Sequence, residues 1–495
     1  MSRNPLCSPS RPAQSRVVLS LLTSLLLLPA AVRAEGASDT PAAPPPEAPP
    51  AQQATTPEAA PPALTAPPTQ EQPSPSAEAV PPAQQAPGEQ ARRKGWDIQG
   101  VPAVNFNTDD GFGYGAILQF VDRADGTYEP FRYSIMLQVF QTTRQVASHF
   151  IQLDAPRFLD SQWRMGFELA YTRTRYAPYY GLGNTAAYVP TYSDCTNRDA
   201  LESNPDVCPD NADFRGLRYY VYDHQSLPRI RINARRQLSN TWMLFLGYRL
   251  RMDRIRTRYS SDDLGQTGDS KLIEDGSTGL IDSHASGLSD TFSERTSELM
   301  FGIQYDTRDI ESSPTVGMFH ELSLRGGAGA IGSQFNYWGA TLHARFFHPV
   351  IPGYRRLVMG WRGLFDLMGG DVPISLFPVY GGLENKDGFG GVYSARGILL
   401  RRYQGPVKLL LNAELRWTAF SVEPWGQQFD FTLAGFVDSG RVWSNLHFSE
   451  GGGLKTSTGG GLRISWNREF VIRVDYGVGI TEPTTGFYLD IGHIF

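Results

Sequence analysis

Three charged residues in the second half of the chain have the types and placement of an ion-paired anchor. Arg396 sits in Tyr393-Ser394-Ala395-Arg396-Gly397-Ile398, after a Gly-rich and aromatic segment that runs from Gly369 to Gly391. Glu414 follows on one alternating segment, and Asp438 on the next, within Phe436-Val437-Asp438-Ser439-Gly440. A guanidinium facing two carboxylates makes short, charge-assisted bonds, which hold a loop in place and perform no catalysis. A second constellation is Tyr305-Asp306-Thr307-Arg308-Asp309, followed by Pro314 and Gly317, in the pattern of a built turn. Arg229, Arg231, Arg235, Arg249 and Arg251 form a third, on one face of two neighbouring segments. They either attract anions or pair with acids such as Asp475 and Asp490. Gly268-Asp269-Ser270 contains a candidate nucleophile, but it stands in a long connection without the strand-to-helix setting that exposes one. The eight histidines are scattered without metal-ligand spacing, and His149, His320 and His343 read as wall residues. No phosphate loop or catalytic pair is recognisable, so neither an enzyme nor a cofactor is expected.

The elements that must position these residues are strands. From Val407 to Ala419 the apolar residues Val407, Leu409, Leu411, Ala413, Leu415, Trp417 and Ala419 alternate with Lys408, Asn412, Glu414, Arg416 and Thr418, with Leu410 the exception. That is a period of 2, which separates an apolar face from a charged one. Phe429, Phe431, Leu433, Gly435 and Val437 repeat it against Asp430, Thr432, Ala434, Phe436 and Asp438. Glu414 and Asp438 therefore face one polar wall, within reach of Arg396 in the preceding loop. Similar alternation recurs from Trp96 onward and predicts about sixteen strands, with no persistent helical period.

The first part of the chain differs. Residues 1–34 carry Arg3, Arg11 and Arg16, a fifteen-residue apolar run from Val17 to Ala31, and a small-residue site ending at Ala34, which reads as a signal peptide. The apolar run is short of the roughly 20 residues that a membrane helix needs. Residues 35–95 are rich in Pro, Ala, Gln, Glu and Thr without apolar periodicity, and are expected to be a disordered linker reaching on the order of 190 Å if extended. Residues 96–495 form the strand-rich domain. The formal net charge of −5 gives no basic face for nucleic acid. Of the three cysteines, Cys7 leaves with the signal, so Cys195 and Cys208 remain in an exported chain. They are expected to form one disulfide, stabilising by up to roughly 3 kcal/mol, with two free thiols as the alternative.

The connections choose between a soluble sandwich and a membrane barrel. The long ones, 177–217, 259–296 and 368–404, all follow odd-numbered strands, while short ones such as Ser239-Asn240-Thr241 and Ile351-Pro352-Gly353 follow even-numbered strands. Segregation of turns from loops is what a transmembrane antiparallel β-barrel requires. Phe487, Leu489, Ile491 and Phe495 lie on an alternating final segment ending in an aromatic, which looks like the signal that hands such barrels to their assembly machinery. His493 departs from that pattern, since an outward residue there is usually apolar.

These motifs resemble the outer-membrane assembly-factor superfamily, the BamA/TamA or bacterial surface antigen group. The resemblance covers about residues 96–495 and rests on Ala395-Arg396-Gly397-Ile398, Phe436 to Gly440, and Asp306 to Gly317. It implies a barrel in the bacterial outer membrane, with the signal peptide and linker on the periplasmic side. It also implies a loop folded into the lumen, where Arg396 pairs with Glu414 and Asp438. Ile398 stands where the family usually has an aromatic residue. The Pro-rich segment cannot form even one of the family's periplasmic POTRA modules, so substrate capture by them is absent or supplied by another chain. Gly100 and Pro102 would weaken pairing of the first strand at the family's seam with the last. The implied partners are outer-membrane lipid, the barrel-assembly machinery during biogenesis, and a protein or lipid client. The role implied is biogenesis by insertion or export. A passive pore for small anionic solutes and, further off, an outer-membrane hydrolase are the alternatives.

Overall fold

The computed structural model describes residues 95–125, 131–188, 217–257, 270–277, 291–384, 386–466 and 470–495. The expected signal peptide, most of the linker, and Cys195 and Cys208 lie outside them.

Sixteen strands close into one antiparallel barrel. In chain order they are β1 (Trp96–Asn107), β2 (Gly111–Asp122), β3 (Tyr133–Thr142), β4 (Val146–Ala155), β5 (Trp163–Pro178), β6 (Val221–Gln237), β7 (Trp242–Arg256) and β8 (Thr291–Asp306). Then come β9 (Gly317–Gly327), β10 (Tyr337–Ile351), β11 (Tyr354–Gly370), β12 (Val407–Val422), β13 (Phe429–Trp443), β14 (Lys455–Trp466), β15 (Phe470–Gly479) and β16 (Thr485–Ile491). Each pairs with its neighbours in sequence, and β1 meets β16. Strand count and class agree with the alternation in the sequence. The three longest connections, 179–220, 257–290 and 371–406, emerge at one end, here the loop end. The other is the turn end, where Pro352 and Gly353 alone join β10 to β11, with Gly353 at φ +79°.

Alternation decides which side each residue faces. On β12 Leu411, Leu415 and Trp417 point out and are exposed, while Lys408, Asn412 and Glu414 point in and are buried. Similar outward residues on the other strands make a continuous apolar surface, which is the face of a barrel standing in lipid. Near the turn end that surface carries an aromatic row from strand to strand: Trp242 on Tyr305, Tyr305 on His320, and His320 on Phe346. Phe420 on Phe431 and Phe429 on Trp466 continue it. Amphipathic rings favour the boundary between hydrocarbon and water, so the row marks one membrane interface.

The connection 371–406 turns back into the lumen instead of standing outside. It contains a short two-stranded hairpin, Val379–Tyr380 with Lys386–Asp387. Its apolar residues Tyr380, Phe389, Ala395, Ile398 and Tyr403 pack with Leu364, Leu410 and Val442 of the wall. The inward Leu410, which broke the alternation of β12, thus has a partner inside. Ile398 is buried in the same cluster.

The final segment differs from the expectation. β16 ends at Ile491, and Gly492 at φ +83° turns the chain inward. Phe487 and Ile491 face outward, whereas Ile494 and Phe495 are buried with Phe347. Phe495 lies beneath the guanidinium groups of Arg362 and Arg416, so it is a lumen residue and not an outward aromatic. His493 is likewise not a lipid-facing residue, since its Nε2 lies 3.4 Å from Ser313 Oγ in a part-buried setting.

Candidate functional site

Arg396 is completely buried, and every nitrogen of its guanidinium is bonded. Nε and Nη2 donate to the two oxygens of Asp438, at 2.9 and 3.1 Å. Nη1 donates to Glu414 at 2.9 Å and to Asp475 at 3.1 Å. Its backbone N–H adds a bond to Asp438 at 3.1 Å. The planar group lies 3.4 Å from the centre of the Phe436 ring, so the cation is stacked as well as paired. The carboxylates have further partners. Glu414 accepts from Arg416 at 2.8 Å and Arg463 at 3.2 Å, and Asp475 accepts from Arg463 at 2.6 Å and Arg473 at 3.2 Å. Arg473 also reaches Asp490 at 3.2 Å. Arg396, Arg416, Arg463 and Arg473 are balanced by Glu414, Asp438, Asp475 and Asp490, in a neutral network on the wall of β12 to β16. None of these carboxylates is free to serve as a general acid or base.

Close approach of the loop depends on missing side chains. Gly397 has φ +94°, and a Cβ there would lie 2.5 Å from the backbone of Gly477. On Gly440 a Cβ would lie 2.3 Å from the Phe389 ring. The motif Phe436 to Gly440 thus offers a stacking ring, a bidentate acceptor and a gap, each used by the loop.

Asp475 was not assigned to Arg396 in the sequence. In the sequence it reads, with Asp490, as a counter-charge for the arginines of β6 and β7, and the structure corrects this. Arg231 pairs with Glu168, Arg249 with Glu298 at 3.2 Å, and Arg251 with Asp253 at 3.1 Å. Asp475 and Asp490 lie on the far wall with Arg463 and Arg473. Strand neighbours in a barrel find each other first, and no spacing rule in one chain reports shear between distant strands.

The turn constellation is self-contained. Asp306 accepts from the Arg308 backbone at 3.1 Å and from its Nε and Nη2 at 3.0 and 2.6 Å. Asp309 accepts from the Thr315 backbone at 2.8 Å, the Thr315 hydroxyl at 2.6 Å and the Val316 backbone at 3.2 Å. Burial works to raise the pKa of Asp309, but these bonds outweigh it and hold the carboxyl below its ordinary value. Pro314 is buried, and Gly317 takes φ +106°, where a Cβ would meet the Thr307 carbonyl at 2.3 Å. Ser270 is a capping residue: its Oγ accepts from the Ile273 N–H at 3.4 Å at the start of α1 (Lys271–Ser277).

The barrel closes weakly. β1 pairs with β2 at twelve register positions but with β16 at two, Phe106 with Leu489 and Asn107 with Tyr488. Thr108 adds three bonds with the Phe487 backbone: its N–H and hydroxyl donate to the carbonyl, each at 3.1 Å, and its hydroxyl oxygen accepts from the N–H at 2.8 Å. From Trp96 to Asn105, β1 has a described strand partner on one side only. The lumen loop crosses this seam from inside. The Gly397 N–H donates to the Tyr488 hydroxyl at 3.0 Å, and the Gly397 carbonyl accepts from Thr484 at 2.6 Å. Beyond the seam, the Leu400 N–H donates to Asp109 at 3.2 Å, in the turn between β1 and β2. The other Asp109 oxygen is buried without a partner. Burial, then the neighbouring Asp110, pushes this carboxyl up to about 7.

Residues 133–495 match the Omp85 superfamily domain. Among solved structures, the chain is similar to BamA from Haemophilus ducreyi lacking POTRA domains 1–3, with a TM-score of 0.51 at 15% identity over 80% of this chain and 70% of that one. It is also similar to CdiB from Acinetobacter baumannii, with a TM-score of 0.41 at 15% identity over 81% and 66%. No curated protein matches by sequence. At this identity the likeness to BamA speaks for the fold.

Two predictions follow from the geometry. Arg396→Ala leaves three buried carboxylates short of a cation, at a cost of about 3–5 kcal/mol. Urea unfolding in detergent is expected to show a loss of that order, with the heat-modifiable band lost at lower temperature; an unchanged midpoint would contradict the anchor. The second concerns pH. Asp109 has a folded pKa raised above its unfolded value, so its contribution is present below about pH 4 and is lost as pH rises through about 7. Asp110 shifts the same way, while Arg144, Arg401 and Asp387 are the other charges facing the pair. Asp109→Asn is expected to flatten the fall in melting temperature between about pH 4 and about pH 7, and an unaltered slope would contradict this.

Proposed function

The chain belongs to the Omp85 superfamily, and from that premise we propose that it serves outer-membrane biogenesis by inserting or exporting a protein or lipid client at the seam between β1 and β16. The observation that carries this reading is the two-position pairing of that seam, beside a lumen loop knotted to the wall through Arg396. The unpaired edge of β1 presents backbone donors and acceptors, which an incoming strand can satisfy by β-augmentation. Opening costs little at two register positions, whereas parting any other strand pair breaks a long ladder. Residues 1–34 act as a signal peptide and residues 35–95 as a periplasmic tether, with substrate capture either absent or supplied by another chain. Arg396, Glu414 and Asp438 are anchors of the loop, Asp306 to Gly317 stiffens the turn end, and the outward residues of β16 belong to the signal read by the assembly machinery.

A passive anion pore is the competing reading. It has the arginines of β6 and β7 in its favour, but a loop packed into the lumen weighs against free diffusion.

The test compares outer-membrane proteins and lipids in cells with the gene deleted, restored as the parent, restored as Arg396→Ala, and restored with Phe106→Cys and Leu489→Cys across the seam. Depletion of specific components is expected on deletion, with rescue by the parent and none by the oxidised double-cysteine form until reductant is added. An unchanged membrane on deletion, or full rescue by the locked seam, would overturn the proposal.

A further inference from the structure

The arginines of β6 and β7 face one another, and although Arg249 also holds the lumen loop by donating to the Gly382 and Leu383 carbonyls at 2.5 and 2.9 Å, the block carries more positive charge than the wall neutralises. In register, Arg229 lies directly opposite Arg251, and Arg231 directly opposite Arg249. Like charges placed opposite each other on a strand pair repel, so the block must be neutralised. Three carboxylates begin to do so, but two of them are shared. Glu298 serves Arg325 and the Tyr337 hydroxyl as well as Arg249, and Asp253 serves His224 as well as Arg251. The third, Glu168, is held by Arg231. Arg229 has no acid or carbonyl partner among the described residues; Arg251 stands opposite it, and Glu168, the acid that acts on it, is already bonded to Arg231. Besides that group, the buried Nε atoms of Arg231, Arg249 and Arg251 have no acceptor.

The block is reachable. Inward residues of β8 to β11, such as Glu298, Arg325, Thr341 and Asp366, are buried because the lumen loop lies against them. Those of β3 to β6, such as Gln138, Gln152, Arg229 and Arg231, are half-buried. Ala170 stands opposite Arg229 on β5 and brings a methyl group and no counter-charge. On the same inward face of β6, Arg231, Asn233 and Arg235 descend toward the turn end. There Arg235, Arg164 and Leu383 help line a cavity of about 420 Å³.

We infer that this block is a binding site for a phosphoryl group, with the half-buried Arg229 as its principal ligand, Arg231 beside it, and the buried charges of Arg249 and Arg251 behind. A phosphoryl oxyanion carries the missing negative charge and three acceptor oxygens, which match forked guanidinium donors as a single carboxylate does not. The ligand is either free phosphate or the phosphorylated headgroup of a lipid, entering from the turn end along Arg235. The site does not depend on the proposed role in biogenesis, since a barrel that moves no client would still hold the anion.

The experiment uses the full chain in an uncharged, phosphate-free detergent, titrated calorimetrically with inorganic phosphate and, separately, with short-chain phosphatidic acid. Binding to either probe is expected, and Arg229→Gln should weaken it roughly ten- to hundredfold. Without ligand, that variant should melt no lower than the parent, because it removes an unneutralised charge. Arg229→Lys, which keeps the charge and loses the fork, should fall between the two. Binding of phosphate alone assigns the site to the free anion; tighter binding of the lipid assigns it to a headgroup. Absence of binding by both probes, or equal affinity in the parent and Arg229→Gln, would overturn the site. Should Arg229→Gln fail to fold, equal affinity of Arg229→Lys and the parent would overturn it instead.

Discussion

Everything inside this barrel depends on burying one arginine. A guanidinium taken from water into a packed lumen is tolerated only where its donors and charge are met in full. Arg396 meets that condition through Asp438, Glu414 and Asp475, which come from three different strands. The bonds can form only when β12, β13 and β15 are in their native register and the loop has entered the lumen. The network therefore links closure of the wall to placement of the loop. The glycines at 397, 440 and 477 are the steric side of the same constraint, because a Cβ at any of them would hold the loop or its packed ring away from the wall.

Much of this was legible in the sequence. Alternation separated inward from outward residues on β12 and β13, and Arg396, Glu414 and Asp438 were grouped from their placement alone. What escaped was information about neighbours across the barrel. Asp475 joins Arg396 through the shear of β15 against β13, which no local pattern encodes. Glu168 and Glu298 neutralise Arg231 and Arg249 because strands β5 and β8 flank them, whereas acids farther along the chain had been expected to do so. The inward turn at Gly492 was hidden by a segment whose alternation runs on to Phe495 in the sequence.

The two halves of the lumen are built differently. Around β8 to β16 the loop, the salt-bridge network and the apolar cluster near Ile398 leave inward side chains buried. Around β3 to β6 the longer inward residues Gln138, Gln152, Arg229 and Arg231 remain half-buried. The seam lies where these regimes meet, and its weakness has a local origin. Pro102 has no N–H to donate, and β16 ends after seven residues, just before Gly492 turns the chain inward. A loop bound to Tyr488 on one side and Asp109 on the other spans the weak place without filling it. The most heavily and the most sparsely bonded parts of the wall are thus adjacent.

The central claim is that the knot at Arg396 is the most firmly held part of the barrel and the seam the least. Hydrogen exchange of the intact protein in lipid nanodiscs, read by mass spectrometry, tests it most directly. The account predicts slow exchange across β12 to β15 and residues 394–399, with exchange faster by orders of magnitude from Trp96 to Asn105. Equal protection of β1 and β13 would contradict it.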